Sequence, residues 1–346
     1  MPSIYQYSKE ELTSLLEGQP SYRVDQLWHG LWDEASAIGD ITPIPKALRD
    51  RLMAEFPGGL TVVNDVASDH GATRKWVFQL ENGATIETVL MHYDDRVTVC
   101  VSSQAGCAMG CTFCATGQAG FSGQLSVGHV VEQVMYATRA AWPARLSNVV
   151  FMGMGEPLAN YAVTVEVVRR LHEYRGLSAR HLTVSTVGVA PAIERLAREG
   201  LALTLAVSLH AANDETRNEL VPLNRRYPLD RLHQACATWI ERTGRRLSFE
   251  WALIDGVNDT DVALDELALY ARDLAAHVNL IPLNPTPGYL VRGSSVTRVR
   301  EFRDGLLERG VNATVRNTRG RSIAAACGQL AQVTNTKRRS IRVRAS

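Results

Sequence analysis

The densest chemistry in this sequence lies in one short stretch, Cys107-Ala-Met-Gly-Cys111-Thr-Phe-Cys114. Three thiols at these spacings, with the small Gly106 and Gly110 beside them, can wrap one face of an iron–sulfur cluster, because cysteine thiolates are its usual ligands. A fourth ligand would close the site. Three leave one iron open to a substrate, as an open position does in zinc enzymes. The alternative for the same residues is a structural zinc knuckle completed by Cys100 or a histidine, although no second CxxC and no HxxxH is present to complete it. Six cysteines in 346 residues are too few for a disulfide scaffold, so the cluster reads as metal or thiol chemistry in a reducing compartment. Cys236 shares an apolar helical stripe with Leu229, Leu232 and Trp239 and belongs to the core.

Something must hold that loop, and from about residue 95 the sequence alternates two periods. Short β-rich runs occur at 98–103, 148–153, 182–187, 203–210, 247–254 and 278–283, separated by amphipathic helical patterns at 127–142, 160–174, 190–199, 229–243, 260–275 and 295–309. Apolar strands alternating with helices predict a parallel sheet covered by helices. Six such units without a dinucleotide fingerprint favour an α/β fold of the partial (β/α)6 barrel type, in which functional residues gather where strands end. The unusual residues stand at those ends: the cysteines after the first strand, Gly155-Glu156 of GMGEP after the second, Ser185 in the third, Ser208-Leu209-His210 after the fourth, and Asn284 opening NPTPG after the sixth.

Residues 1–75 differ. They read as short helices over 9–18, 25–35 and 45–56, with Trp28 and Trp32 spaced for helix packing, and a β-rich stretch near 61–95 joins them to the rest. The expected organisation is a small N-terminal helical domain (1–75), a core (76–335) and a basic tail (336–346). Apolar residues make up 45% and charged residues 21% of the chain, the balance of a globular protein. No apolar run is long enough to span a bilayer and the N-terminus lacks a signal-peptide pattern, so a cytoplasmic protein with no membrane partner is expected. From Arg292 onward there are 13 Lys/Arg against 3 Asp/Glu, a local excess of +10 on a chain of net charge +1. A basic end on an acidic body suggests a polyanionic partner, and a solvated tail is the plainer account of the same charges.

The three cysteines, with an aromatic before the last, resemble the radical S-adenosylmethionine superfamily. The wider match is to its RlmN/Cfr family of RNA methyltransferases. It runs from about residue 20 to 335 through 87–121, 151–160, 185–193, 208–228, 254–260, 281–288 and AAACGQL at 324–330. The resemblance implies a [4Fe–4S] cluster on Cys107, Cys111 and Cys114. It also implies S-adenosylmethionine held by Gly155, Glu156, Ser185, Ser208, Leu209, His210 and Asn284. Cys327 is implied as the cysteine that is first methylated and then linked to the adenine ring. Glu87 is implied as the base that takes the ring proton, and Cys100 as the thiol that resolves the adduct through a transient disulfide with Cys327. An amidine carbon such as adenine C2 is electron-poor and resists ordinary methyl transfer, so a radical route suits it.

The implied substrates are 23S rRNA at the peptidyl transferase centre and tRNA at the base 3′ of the anticodon, methylated at adenosine C2. RNA would be gripped by the N-terminal helices and the Arg-rich segment 292–321, mainly through phosphates and shape. A flavodoxin-like one-electron reductant is the implied redox partner, and a monomer is expected. Three readings compete: a Cfr-like C8 methyltransferase, against which Pro157 and RNTRG at 316–320 speak; a non-catalytic iron–sulfur or RNA-binding protein, which would have no use for Cys100 and Cys327; and another radical enzyme of the superfamily with a small-molecule substrate, which would not need the basic end. The sequence departs from the family where acidic residues usually precede the methylated cysteine: here Ser322-Ile323-Ala324-Ala325-Ala326 leads to Cys327.

Overall fold

In a computed structural model, residues 3–284, 291–316, 320, 323–325 and 328–330 are described. Cys327, Ser322, most of NPTPG and the basic tail 336–346 lie outside them.

The chain opens with helices α1 (Lys9–Leu15), α2 (Tyr22–Trp28) and α3 (Lys46–Glu55). Ser8 and Glu11 cap α1 reciprocally, Ser8 Oγ accepting from Glu11 N–H at 3.2 Å and Glu11 Oε2 from Ser8 N–H at 2.7 Å, which satisfies two of the amides a helix start leaves open. Trp28 and Trp32 lie tilted against each other and both meet Tyr174 of the core edge-on, with ring centroids 4.8–5.6 Å apart. This i, i+4 pair is therefore docking surface. Arg170 reinforces the contact by donating to the carbonyls of Tyr5 and Tyr7.

The helices stop at Glu55, so the helical segment is shorter than 1–75. An antiparallel meander follows, β1 (Thr61–Ser68), β2 (Thr73–Gln79) and β3 (Thr85–His92), and β3 pairs antiparallel with β4 (Val97–Cys100). The β-rich stretch thus extends the main sheet; strand pairing across β3 and β4 leaves no mark in either strand's own pattern.

After β4 come a small hairpin, β5 (Gln104–Gly106) and β6 (Phe121–Gln124), and between them α4 (Ala115–Ala119). The repeating units are α5 (Val127–Ala141), β7 (Asn148–Phe151), α6 (Tyr161–Glu173), β8 (Leu182–Thr186), α7 (Ala190–Leu196), β9 (Thr204–Ser208), α8 (Asp214–Leu220), α9 (Leu229–Thr243), β10 (Ser248–Leu253), α10 (Asp261–Asp273), β11 (His277–Pro282), α11 (Val296–Glu308) and β12 (Ala313–Val315).

Ten strands form one sheet in the order β1-β2-β3-β4-β7-β8-β9-β10-β11-β12, parallel from β4 to β12. Six of the parallel strands and all six helical patterns stand where the periodicity predicts them. β12 adds a seventh parallel strand, and among the described residues the sheet does not close on itself. Its core is continuous from Ile4 to Leu330. Among the described residues no helix is long and apolar enough to cross a membrane.

Candidate active site

The cysteine loop leaves β5 at Gly106, whose φ of +74° puts its amide plane where a side chain would collide with the Gly120 carbonyl. That carbonyl accepts from Cys107 N–H at 2.8 Å. Gly110, at φ +68°, turns the chain again. Cys114 N–H closes the turn onto the Cys111 carbonyl at 3.2 Å, and Thr112 N–H donates to the Leu220 carbonyl at the end of α8 at 3.1 Å. At Gly117 a Cβ would come within 3.0 Å of both the N and O of Cys111, so the loop wraps closely around its own helix start. Burial pushes the Cys107 thiol up to about 12 against a hydrogen bond from the Met109 amide, with Glu156 and Cys114 adding to the rise, and burial, Cys114, Cys107 and Glu156 push the Cys111 thiol higher still.

Soft sulfur donors on a glycine-shaped loop fit an iron–sulfur cluster. Binding it would draw off the thiol protons that burial otherwise retains. Among the described residues no three His, Cys, Asp or Glu side chains converge on a point for a single metal ion.

Beside this loop the strands β7 to β11 end around a cleft that is partly open to solvent. Cys111, Cys114, Gly155, Glu156, Ser185, Ser208, His210 and Asn284 all line it. The chain after β7 runs against the chain after β4, with Gly153 N–H on the Val101 carbonyl at 3.1 Å. A Cβ on Gly153 would lie 2.6 Å from that oxygen, and one on Gly155, whose φ is +100°, 2.5 Å from the Gln104 side chain. Both glycines are required by close approach as much as by turning.

Glu156 follows, 2% exposed, its Oε1 accepting from Leu158 N–H at 2.9 Å and its Oε2 from Val187 N–H at 2.8 Å. Burial pushes its carboxyl up to about 7 in spite of those bonds. His210 sits at φ +60°, with Nδ1 accepting from Ala252 N–H at 3.0 Å and its ring edge-on to Phe113 at 4.6 Å. Burial, then the charge of Arg217, pull its pKa down to about 3. The ring is therefore neutral, with its proton on Nε2. Together these give a carboxylate able to take an ammonium group and a fixed N–H donor in one cleft.

Leu209 does not line the cavity. Its side chain is fully buried in apolar core and its amide donates to the Glu250 carbonyl. Three further residues belong to the site that the sequence reading does not name. Glu250 lines the cavity, bonded by Asn279 at 2.7 Å and raised by burial; a carboxylate inside the apolar run FEWAL was the available signal. Arg316 lines it after β12. Arg217 braces it from α8 and carries no sequence signal beyond being charged on a short helix.

Glu87 and Cys100 stand apart from this cavity, on β3 and β4. β3 lies between two strands and is covered on both faces, so Glu87 is only 3% exposed, and Lys75 Nζ pairs with its Oε2 at 3.0 Å. The same ammonium donates to the Ala324 carbonyl at 3.1 Å. Three residues past Ala324 comes Cys327, and beyond it the Gly328 carbonyl accepts from Ala115 N–H at 2.8 Å while the Leu330 carbonyl accepts from the Thr116 hydroxyl. Both described flanks of Cys327 are thus tied down, one to the meander beside Glu87 and one to α4, the helix that follows Cys114. Among the described residues no cysteine is joined in a disulfide.

A partial parallel barrel with three thiols and a glycine-lined cleft at its strand ends defines a class, and residues 101–268 match the Radical SAM superfamily. A crystal structure of a radical SAM methyltransferase from Sphaerobacter thermophilus superposes with a TM-score of 0.92 at 48% identity, covering 95% of this chain and 99% of that one. Relatives bearing the name "Probable dual-specificity RNA methyltransferase RlmN" are similar over most of their length. The one from Frankia casuarinae is 52% identical across 91% of this chain and 78% of its own, and the one from Chloroflexus aurantiacus 48% identical across 95% and 92%. This chain belongs to the RlmN family of radical SAM RNA methyltransferases, and it is an enzyme. Membership in the superfamily implies a [4Fe–4S] cluster and S-adenosylmethionine.

Proposed function

We propose that this protein methylates C2 of adenosine in 23S rRNA, at the peptidyl transferase centre, and in tRNA, at the base 3′ of the anticodon. In this reading Cys107, Cys111 and Cys114 hold the cluster. Gly155, Glu156, Ser185, the Ser208–His210 backbone with the His210 ring, and Asn284 hold S-adenosylmethionine. When bound, the pair supplies one-electron cleavage of a carbon–sulfur bond, the chemistry that an electron-poor ring carbon needs. Glu156 receives the ammonium group and gives up its proton to do so. His210 donates through Nε2 without changing charge. Cys327 loses its thiol proton and takes a methyl group on sulfur; after that methyl has lost one hydrogen its carbon bonds to the ring, Glu87 takes the ring proton, and Cys100 attacks the Cys327 sulfur, breaking the sulfur–carbon bond to free the methylated base and leaving a transient disulfide between Cys100 and Cys327. The N-terminal helices and the basic segment after Arg292 grip RNA, and an external one-electron reductant supplies electrons.

The observation that carries this reading is the tethering of both flanks of Cys327, at Ala324 beside the Lys75–Glu87 pair and at Gly328 on the cysteine-loop helix. A thiol that must serve both a base and a radical source needs its segment anchored at both. Anaerobic turnover of the reconstituted protein with methyl-labelled S-adenosylmethionine and unmodified rRNA and tRNA, followed by mass spectrometry of the digested RNA, tests it. Label in 2-methyladenosine that disappears in Cys327→Ala is the expected result. Label in 8-methyladenosine moves the chemistry to the other ring carbon, and nucleotide cleavage without a methylated base overturns the substrate.

A further inference from the structure

Arg217 on α8 is 1% exposed, and every partner of its guanidinium is neutral. Nε donates to the Leu209 carbonyl at 3.0 Å, Nη1 to Asn224 Oδ1 at 2.7 Å, and Nη2 to the carbonyls of Val187 at 2.7 Å and Ser208 at 3.3 Å. The carboxylate of this network, Asp214, is reached only through the Asn224 amide, which donates to its Oδ1 at 2.7 Å. A buried charge with no counter-charge in contact is costly, and proteins retain one where something else balances it. The surroundings say what. The α8 helix ends on the cysteine loop, through the Leu220 carbonyl and Thr112 N–H at 3.1 Å. Cys111, Phe113, Ala211, Leu220 and Val221 pack there into one apolar cluster, so charges act across a weakly screening medium. Two of the residues whose carbonyls the guanidinium holds, Val187 and Ser208, line the same cavity as Cys111 and Cys114.

We infer that Arg217 is the built-in counter-charge of the iron–sulfur cluster and sets its reduction potential. The inference rests on the reading in which Cys107, Cys111 and Cys114 hold a [4Fe–4S] cluster. With three thiolates such a cluster is anionic, and it gains one more negative charge when an external one-electron donor reduces it. A fixed cation on the helix to which the cysteine loop is bonded stabilises the reduced state more than the oxidised one and so raises the potential. Through Val187, whose N–H holds Glu156, and through Ser208 and Leu209, the same guanidinium also positions the strand ends of the cleft.

The test is a spectroelectrochemical titration of the full chain, reconstituted with iron and sulfide and reduced by dithionite, followed by electron paramagnetic resonance. Arg217→Gln, which deletes the charge and keeps two N–H donors, is expected to make reduction at least tenfold less favourable, a fall of about 59 mV for one electron. Arg217→Lys keeps the charge and stays near the parent potential. Asp214→Asn deletes the remote negative charge while keeping the oxygen that accepts from Asn224 and from Leu229 N–H, and it moves the potential upward. A potential in Arg217→Gln at or above the parent value overturns the inference, because a merely loosened, wetter site moves it that way. If Arg217→Gln does not take up iron, Asp214→Asn decides: a rise supports the inference and an unchanged value overturns it. Failure of the underlying reading looks different: the parent protein gives no [4Fe–4S] signal, or Cys111→Ser retains it.

Discussion

Glu156 and His210 face one cleft with opposite proton anomalies, and their effects on stability cancel over a defined pH window. The buried carboxyl of Glu156 titrates at about 7 in place of 4.5. From about pH 4.5 to 6.5 the folded protein therefore holds a proton there that the unfolded chain has lost, and the stability this contributes falls as pH rises towards 7. His210 titrates at about 3 in place of 6.5. Over the same window the unfolded chain holds a proton on it that the folded protein refuses, so this contribution falls as pH drops. Each acts with a slope of about 1.4 kcal/mol per pH unit, of opposite sign, and each amounts to about 3 kcal/mol across the two units.

Urea unfolding of the cluster-free protein, followed by tryptophan fluorescence at half-unit steps from pH 4.5 to 6.5, separates them. Relative to the parent, Glu156→Gln gains stability as pH rises, by about 1.4 kcal/mol per unit. His210→Asn, chosen because asparagine tolerates the left-handed backbone found there, loses stability with the same slope. Any fixed cost of either substitution shifts its curve without tilting it, and the other buried groups are common to all three proteins. Variant curves running parallel to the parent would refute the argument.

Gly153→Ala drives a methyl group onto the Val101 carbonyl, 2.6 Å away, and is expected to cost about 1–3 kcal/mol, seen as a lower urea midpoint and a loosened cleft in S-adenosylmethionine binding. Lys75→Met strips the ammonium from a buried carboxylate 3.0 Å away; the same unfolding assay should register a loss of about 3–5 kcal/mol. Iron analysis after reconstitution distinguishes the cysteines. Cys111→Ser should lose cluster iron, while Cys236→Ser, buried on the apolar face of α9, should keep the parent content.

Much of this architecture is legible in the residue pattern because it obeys local periods. The parallel strands from β4 to β11 begin close to where apolar runs begin, and α9 stops at Gly244, which takes the left-handed conformation expected of a helix-ending glycine. The cysteines, GMGEP, Ser208 and His210 are visible for a related reason: strand ends in such a sheet share one rim. What escapes is whatever depends on partners far along the chain. β12 is three residues long, too short to show a period, and the burial of Glu87 follows from β2 and β4 flanking β3. Arg217 gains its importance from carbonyls on two other elements. Glu250 could have been found, since a lone carboxylate within an apolar strand needs a reason.

The bond from the Thr116 hydroxyl to the Leu330 carbonyl spans 214 residues, and that separation is also a delay. During synthesis the cysteine loop leaves the ribosome long before the segment that covers it, by about 10–40 s at 5–20 residues per second. For that interval the nascent chain has its three thiols and no C-terminal strap across them. The order in which the chain is made thus leaves the cysteine loop accessible before the segment bonded to it exists.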